Sequence, residues 1–185
     1  HIIENESHDE SIKLNHNLLY YAILFMNNDL IDYVVHSYHI KIDAESYIKC
    51  IYASNYDAML KLRELDDDND NEINHQGIIG SAPIDIAAFE GYLDFLKYFL
   101  TIKNIDVSQY NSYGKTILQS AARSDRIYVV KYIVKHNLVD KNDAGDYGTS
   151  AFDIAYNYNC SKVIDFFEGE NNLENEENDN KEESN

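Results

Sequence analysis

The sequence predicts an all-α solenoid made of about five helix-turn-helix units of roughly 34 residues. The first observation is a repeat: three similar segments begin at Gly80, Gly114 and Gly148, at intervals of 34 residues. The second is that each segment contains two short apolar runs with helical spacing. A fixed period of this length is typical of repeat proteins, in which every unit buries its apolar face against its neighbours.

The two apolar runs of each unit predict a pair of short helices. In the unit that begins at Gly80, the first helix is expected to be amphipathic over residues 84–88. The second helix places Leu93, Leu96 and Phe99 at three-residue steps. Helices this short are marginally stable alone, so we expect stacking between units to stabilise them.

Capping patterns mark where the first helices begin. Thr116 is followed three residues later by Gln119, which predicts a capping box, and Ser150 with Asp153 is a close relative of that pattern. Pro83 is expected at an early helical position, where its missing N–H leaves no hydrogen bond unmade. Three different sequences therefore indicate a helix start at the same place in the repeat.

These units resemble ankyrin repeats. The family pattern is a Gly two residues before a Thr-Pro-Leu-His-x-Ala-Ala run, followed by a Gly-His pair and a second helix rich in Val and Leu. Residues 82–88, Ala-Pro-Ile-Asp-Ile-Ala-Ala, followed by Gly91 and Tyr92, match that pattern best. The resemblance implies the helical-repeat fold and a role in binding other proteins.

The chain also departs from the family pattern. The family His is replaced by Asp85, Gln119 and Asp153, and the family Gly between the two helices becomes Asp125 and Asn159. Asp and Asn adopt left-handed backbone more readily than most residues, so we expect the turn between the helices to be preserved.

Two more divergent units are predicted upstream of the three clear ones. From Asn17, Ala22 aligns with Ala87 and Ile31 with Leu96. A further alignment from Ser46 places Asn55 and Tyr56 opposite Gly91 and Tyr92, and Leu60 opposite Leu96. Terminal repeats are expected to be atypical because one of their faces meets solvent.

The predicted organisation is a flank at 1–16, divergent units at 17–65, an acidic loop at 66–79, three repeats at 80–167 and a disordered acidic tail at 168–185.

The acidic loop contains an alternation of Asp66, Asp68 and Asp70 that is similar to an EF-hand. Asn71 and Gly77 stand where that motif requires Gly and Glu, so we favour a solvated loop over a calcium site. The tail carries too few apolar residues to offset its ordering entropy, which predicts a solvating tail or linker.

Composition excludes several functions. The net charge of −18 opposes binding to nucleic acid and to anionic membranes. The two cysteines, Cys50 and Cys160, are far apart, which fits an intracellular, cytoplasmic protein better than a disulfide framework. His36 and His39 have no companion at metal-ligand spacing, and we expect no cofactor, no metal and no enzymatic activity. The first residue is not Met, which we interpret as a fragment or a processed product.

The resemblance implies that partners bind the projecting turns and the exposed ends of the first helices, on a concave face. Tyr113 and Tyr147 recur at the turn tip just before a Gly, where packing between repeats requires no aromatic ring. Aromatic tips with an acidic surround fit a partner whose apolar side chains are flanked by Lys or Arg. The predicted partner-binding residues are Ile78, Ile79, Phe89, Glu90, Ser112, Tyr113, Lys115, Arg123, Asp146, Tyr147, Asn157 and Tyr158.

The sequence therefore indicates a non-catalytic scaffold or adaptor that binds a protein partner. Two alternatives stay open: a targeting arm for a larger protein with a catalytic domain, and an acidic inhibitor or chaperone that acts through its charge. The salt dependence of binding distinguishes the acidic inhibitor or chaperone from the scaffold or adaptor, because binding that depends on charge weakens as ionic strength rises.

Overall fold

A computed structural model describes residues 17–66 and 72–170. Within those ranges the chain is all-α and contains no strand. The described residues fall into two compact units, the first formed by residues 17–66, 72–83 and 97–105 and the second by residues 84–96 and 106–170. The described elements are α1 (17–24), α2 (Asn28–Tyr38), α3 (Ala44–Tyr52), α4 (Tyr56–Leu65), a 3₁₀ turn (Glu72–Asn74), α5 (Pro83–Glu90), α6 (Leu93–Phe99), α7 (Ile117–Arg123), α8 (Ile127–Lys135), α9 (Ala151–Asn157) and α10 (161–170).

Consecutive helices form hairpins that share one kind of turn. After each first helix a residue adopts left-handed backbone, and the N–H of the next residue donates to a carbonyl five positions earlier, as from Tyr92 to Ala87 (2.9 Å) and from Cys160 to Ala155 (2.8 Å). This geometry ends a helix while satisfying one of its last free carbonyls. The left-handed residues are Met26, Ser54, Gly91, Asp125 and Asn159. The helix-turn-helix unit is thus confirmed, as is the left-handed backbone predicted for Asp125 and Asn159.

The register predicted for the second hairpin is wrong by one residue. Ser54, and not Asn55, has the left-handed backbone that Gly91 has in its own hairpin. Met59 is fully buried in α4, whereas Leu60 is only half-buried. The error arises because Asn adopts left-handed backbone more readily than Ser, which drew Asn55 into the turn position of the alignment.

The prediction that helix α5 is amphipathic is wrong. Ile84, Ile86, Ala87 and Ala88 are all buried, and so is the polar Asp85 between them. A helix that is buried on every side belongs to the interior of a stack and not to its surface. By contrast, α8 buries Val129, Val130 and Ile133 on one face only.

The predicted helix starts are confirmed. Thr116 and Gln119 form a complete capping box, as do Ser150 and Asp153, and Pro83 is the first residue of α5. A third capping box, in which Asp43 and Ser46 cap α3, was not predicted from the sequence. Its Asp and Ser reverse the usual order of residue types in a capping box.

The predicted acidic tail begins too early. Helix α10 continues to residue 170, so residues 168–170 of the predicted tail are helical. The rest of the tail, the flank 1–16 and loop residues 67–71 lie outside the described residues. Asp68, Asp70 and Asn71 of the calcium alternative fall in that gap. Asp66 is described, and its Oδ2 atom accepts a hydrogen bond of 2.7 Å from the hydroxyl of Tyr47.

Tyr47 makes the first unit sensitive to alkali. Its side chain is fully buried, and this burial, followed by the hydrogen bond to Asp66, raises its pKa. A group whose pKa is raised on folding stabilises the native state below its unfolded pKa of about 10, and that contribution is lost as the pH rises further. We therefore expect the unfolding free energy to fall between pH 8 and pH 11 by less in Tyr47→Phe than in the unsubstituted protein.

Urea unfolding at pH 8 and at pH 11 measures this difference. At pH 8 the Tyr47→Phe variant should be less stable by about 1 kcal/mol, the usual contribution of one hydrogen bond. Other alkaline titrations are common to both proteins and cancel in the comparison. An equal loss of stability in both proteins at pH 11 would contradict the expectation.

Candidate functional site

The predicted partner-binding residues lie in both compact units. Ile78 and Ile79 belong to the first unit, where Ile78 is 87% exposed while its backbone N–H donates to Oε2 of Glu45 (3.2 Å). The other ten belong to the second unit. Of the twelve, the exposed residues are Ile78, Ile79, Ser112, Tyr113, Asp146, Tyr147, Asn157 and Tyr158, and the half-buried residues are Phe89, Glu90, Lys115 and Arg123.

The turn before α7 is built around Asn111. Its Oδ1 atom accepts hydrogen bonds from the backbone N–H groups of Tyr113 (2.9 Å) and Lys115 (3.1 Å). Its backbone carbonyl accepts from the N–H of Gly114 (2.8 Å). Such a side-chain cradle fixes the turn, so the Tyr113 ring, 54% exposed, projects from a well-defined backbone.

The next turn along the chain is attached directly to this one. The N–H of Asp146 donates to the carbonyl of Gly114 (3.0 Å), and a side chain at Gly114 would meet Asp146 and the ring of Tyr147 at less than 3 Å. Tyr147 is 73% exposed. Two aromatic tips therefore project from one hydrogen-bonded pair of turns.

Gln119 joins a first helix to the following turn. Its Oε1 atom accepts from the N–H of Thr116 (2.9 Å), and its Nε2 atom donates to the carbonyls of Asp143 (3.0 Å) and Thr149 (2.8 Å). The side chain is buried. A single amide thus completes a helix cap and holds the turn of the next repeat.

The three residues that replace the family His have three different environments. Buried Asp85 accepts hydrogen bonds from the Nδ2 atom of Asn111 (3.0 Å), in the turn before α7, and from the hydroxyl of Ser120 (2.6 Å), on α7 in the next repeat. Gln119 also reaches the next repeat, as above. Asp153 is exposed and bonds only within its own capping box with Ser150. The sequence shows which residues replace the family His, but it did not predict their different partners.

The ends of the first helices form a second part of the site. The guanidinium carbon of Arg123 lies 4.9 Å from the ring centroid of Tyr158 and 5.9 Å from that of Phe89. These three residues come from three successive repeats within the second unit. The sequence did not predict these contacts between the repeats.

Residues just after the left-handed turns connect three of the hairpins to the hairpin before them. Arg126 donates from Nε to the carbonyl of Phe89 (3.0 Å), and the thiol of Cys160 donates to the carbonyl of Arg123 (3.4 Å). In the first unit, Nδ2 of Asn55 donates to the carbonyl of Ile23 (2.7 Å). Sequence reasoning missed this role; a polar residue directly after the left-handed position is the signal that could have found it. We refer to these three contacts as the seam bonds.

Neither cysteine is placed for nucleophilic chemistry. Burial raises the pKa of the Cys50 and Cys160 thiols, which disfavours the reactive thiolate. Across residues 17–66 and 72–170, no group of three His, Cys, Asp or Glu side chains is arranged to hold a metal ion. No helix in the same ranges combines the length and apolar character needed to cross a bilayer.

Stacked helical hairpins with left-handed turns and projecting tips define a helical-repeat protein. The sequence pattern of ankyrin repeats, in three copies, matches residues 84–179, which is more than half of the chain. The chain belongs to the ankyrin-repeat family, and the predicted fold class, an all-α ankyrin-repeat solenoid, is confirmed. Repeats of this family are protein–protein interaction modules and are generally not catalytic.

Two curated proteins of the spider Latrodectus tredecimguttatus are similar to part of the chain. Alpha-latrocrustotoxin-Lt1a is 37% identical over 76 residues, which is 41% of this chain. Alpha-latroinsectotoxin-Lt1a is 32% identical over 81 residues, or 44% of this chain. The chain spans only 5% and 6% of the lengths of these two relatives.

Proposed function

We propose that the protein is a non-catalytic scaffold or adaptor that binds a protein partner through the turn tips and first-helix ends of its second unit. The observation that carries this proposal is the pair of exposed rings of Tyr113 and Tyr147 on two turns joined by a backbone hydrogen bond. Tyr contributes large contact area at low entropic cost and is enriched where partners bind. Rigid turns reduce the ordering cost of binding still further.

The partner that fits this surface has apolar side chains next to Lys or Arg. Tyr113, Tyr147 and Tyr158 offer exposed rings, while Asp146 is exposed close to Tyr147. The net charge of −18 attracts a basic partner over distances of about one Debye length, roughly 8 Å at physiological salt. Ile78 and Ile79 offer a separate apolar surface on the first unit.

Replacing Tyr113 and Tyr147 together by Ala should weaken partner binding about tenfold or more, because interface tyrosines often contribute over 1 kcal/mol each. The partner is first captured at physiological salt from a lysate of the cells that make the protein, and its affinity is then measured by titration calorimetry. Tyr128→Ala is the matched control: Tyr128 is 78% exposed, in the same unit, but on helix α8.

Both variants should retain the helical signal in circular dichroism, because none of the three tyrosine rings is part of the core. Equal affinity of the double variant and the Tyr128→Ala control would remove the turn tips from the site. A partner that is captured at low salt but not at physiological salt would favour the alternative of an acidic inhibitor or chaperone.

A second candidate function is a targeting arm within a larger protein. It is favoured by the two curated relatives, in which the similar segment occupies only 5% or 6% of a much longer chain. The sequence of the complete gene product tests this candidate directly. For either function we propose an intracellular, cytoplasmic site of action, which the two buried free thiols support.

A further inference from the structure

Arg123 is held between two aromatic rings at the end of α7. Phe89 lies on one neighbouring repeat and Tyr158 on the other, with ring centroids 5.9 Å and 4.9 Å from the guanidinium carbon. Contacts with aromatic rings use the flat faces of a guanidinium and hold it in one orientation. Its N–H groups point outward in the guanidinium plane, where they suit a planar acceptor.

The guanidinium of Arg123 has no acidic partner among the residues that the structure describes. Its recorded side-chain contacts are the two rings, although the chain carries a net charge of −18. Neighbouring acids are near other cations: Glu90 is 3.9 Å from Arg126, and Asp125 is 3.9 Å from Lys162. An oriented cation without an internal acid, on a partner-binding surface, is complementary to an external carboxylate.

We infer that Arg123 binds a carboxylate of the protein partner, namely an Asp or Glu side chain on the bound segment. This inference rests on the proposed function and specifies the chemistry of one position in the partner. A guanidinium donates two parallel hydrogen bonds to a carboxylate, which a neutral amide such as Gln does not match. Phosphate groups of nucleic acids would suit Arg123 as well, but the net charge repels them.

The length of α7 sets the spacing of the recognised segment. Helix α7 has seven residues from Ile117 to Arg123, so roughly 10 Å of helix separates the turn of Tyr113 from Arg123. An extended peptide covers that distance in about three residues. The bound segment therefore carries an acidic residue about three positions from an apolar side chain that contacts the tip, and Lys or Arg elsewhere contacts the acidic surround.

The test uses peptides of 12 residues, selected from a random displayed library on the full chain at physiological salt. In the tightest binder each Glu or Asp is changed in turn to Gln or Asn, and affinities are measured by fluorescence polarisation. One such change should weaken binding about tenfold or more, as expected for charge-assisted hydrogen bonds. The Arg123→Met variant should bind the acidic peptide and its amide counterpart with equal affinity.

Lys131→Met is the matched control, because Lys131 also lies over a ring, that of Phe166 at 5.7 Å, but on helix α8. It should keep the full preference for the acidic peptide. Arg123→Lys keeps the charge and should retain only part of the preference, which separates two hydrogen bonds from simple attraction.

Two results would overturn the inference. If acidic and amide peptides bind the unsubstituted protein equally, or if Arg123→Met keeps the preference, Arg123 is not a carboxylate receptor. The proposed function survives that result when the Tyr113 and Tyr147 double variant still loses affinity. Failure to select any peptide would also overturn the inference, whereas the proposed function is tested separately by the affinity of the Tyr113 and Tyr147 double variant for the captured partner.

Discussion

Replacing Gly145 by Ala will destabilise the second unit by about 4 kcal/mol. Gly145 has a φ of +60°, a conformation that costs an Ala about 1 to 2 kcal/mol. An added Cβ would also lie 2.4 Å from the carbonyl oxygen of Gly114 and 2.8 Å from Oε1 of Gln119. Relieving that overlap separates the two turns and breaks the hydrogen bonds between them, each worth about 1 kcal/mol.

Gly148→Ala is the control for the backbone contribution. Gly148 has a similar φ of +66°, but nothing lies within 4 Å of an added Cβ. This variant should therefore lose only about 1 to 2 kcal/mol. Urea unfolding followed by circular dichroism gives both values, and equal losses at the two glycines would show that contact between the turns contributes little.

Replacing Gln119 by Leu should cost about 3 kcal/mol with little change in side-chain volume. Leu leaves the buried N–H of Thr116 without its acceptor and the carbonyls of Asp143 and Thr149 without their donor. Each unsatisfied buried group costs about 1 to 3 kcal/mol, and partial entry of water reduces the total. The same unfolding measurement gives the loss.

The equivalent change one repeat later is the comparison for Gln119. Asp153 is exposed and bonds only to Ser150, so Asp153→Leu should lose about 1 kcal/mol, the usual cost of a helix cap. If the two substitutions cost the same, the bonds from Gln119 to the next turn do not contribute to stability. The result would also show how far one repeat position can differ from its equivalents.

The features of the fold that depend on nearby residues could be predicted from the sequence. The capping boxes at Thr116 and Ser150, and the left-handed turns at Asp125 and Asn159, follow from residues within a few positions of one another. The 34-residue period then places these features in register along the chain. The left-handed backbone at Ser54 and the capping box at Asp43 and Ser46 were not predicted, because Ser rarely adopts that backbone and the box reverses the usual order of residue types.

Contacts between repeats could not be predicted in the same way. That Gln119 reaches the next turn, or that Arg123 lies between Phe89 and Tyr158, depends on how far one hairpin lies from the next. No local propensity sets that distance, since it results from packing of whole helices. Of the twelve residues proposed for binding, eight are exposed, but the sequence did not predict the pair of joined tips or the guanidinium between two rings.

The seam bonds make the repeats less interchangeable than their common length implies. Each one joins a different pair of chemical groups: an amide in Asn55, a guanidinium in Arg126 and a thiol in Cys160. Removing the 34 residues from Gly114 to Tyr147 would keep the period but bring Cys160 opposite the carbonyl that Arg126 now reaches. The order of the repeats therefore matters. Exchanging two repeats would preserve the 34-residue period but would lose the seam bonds between neighbouring hairpins.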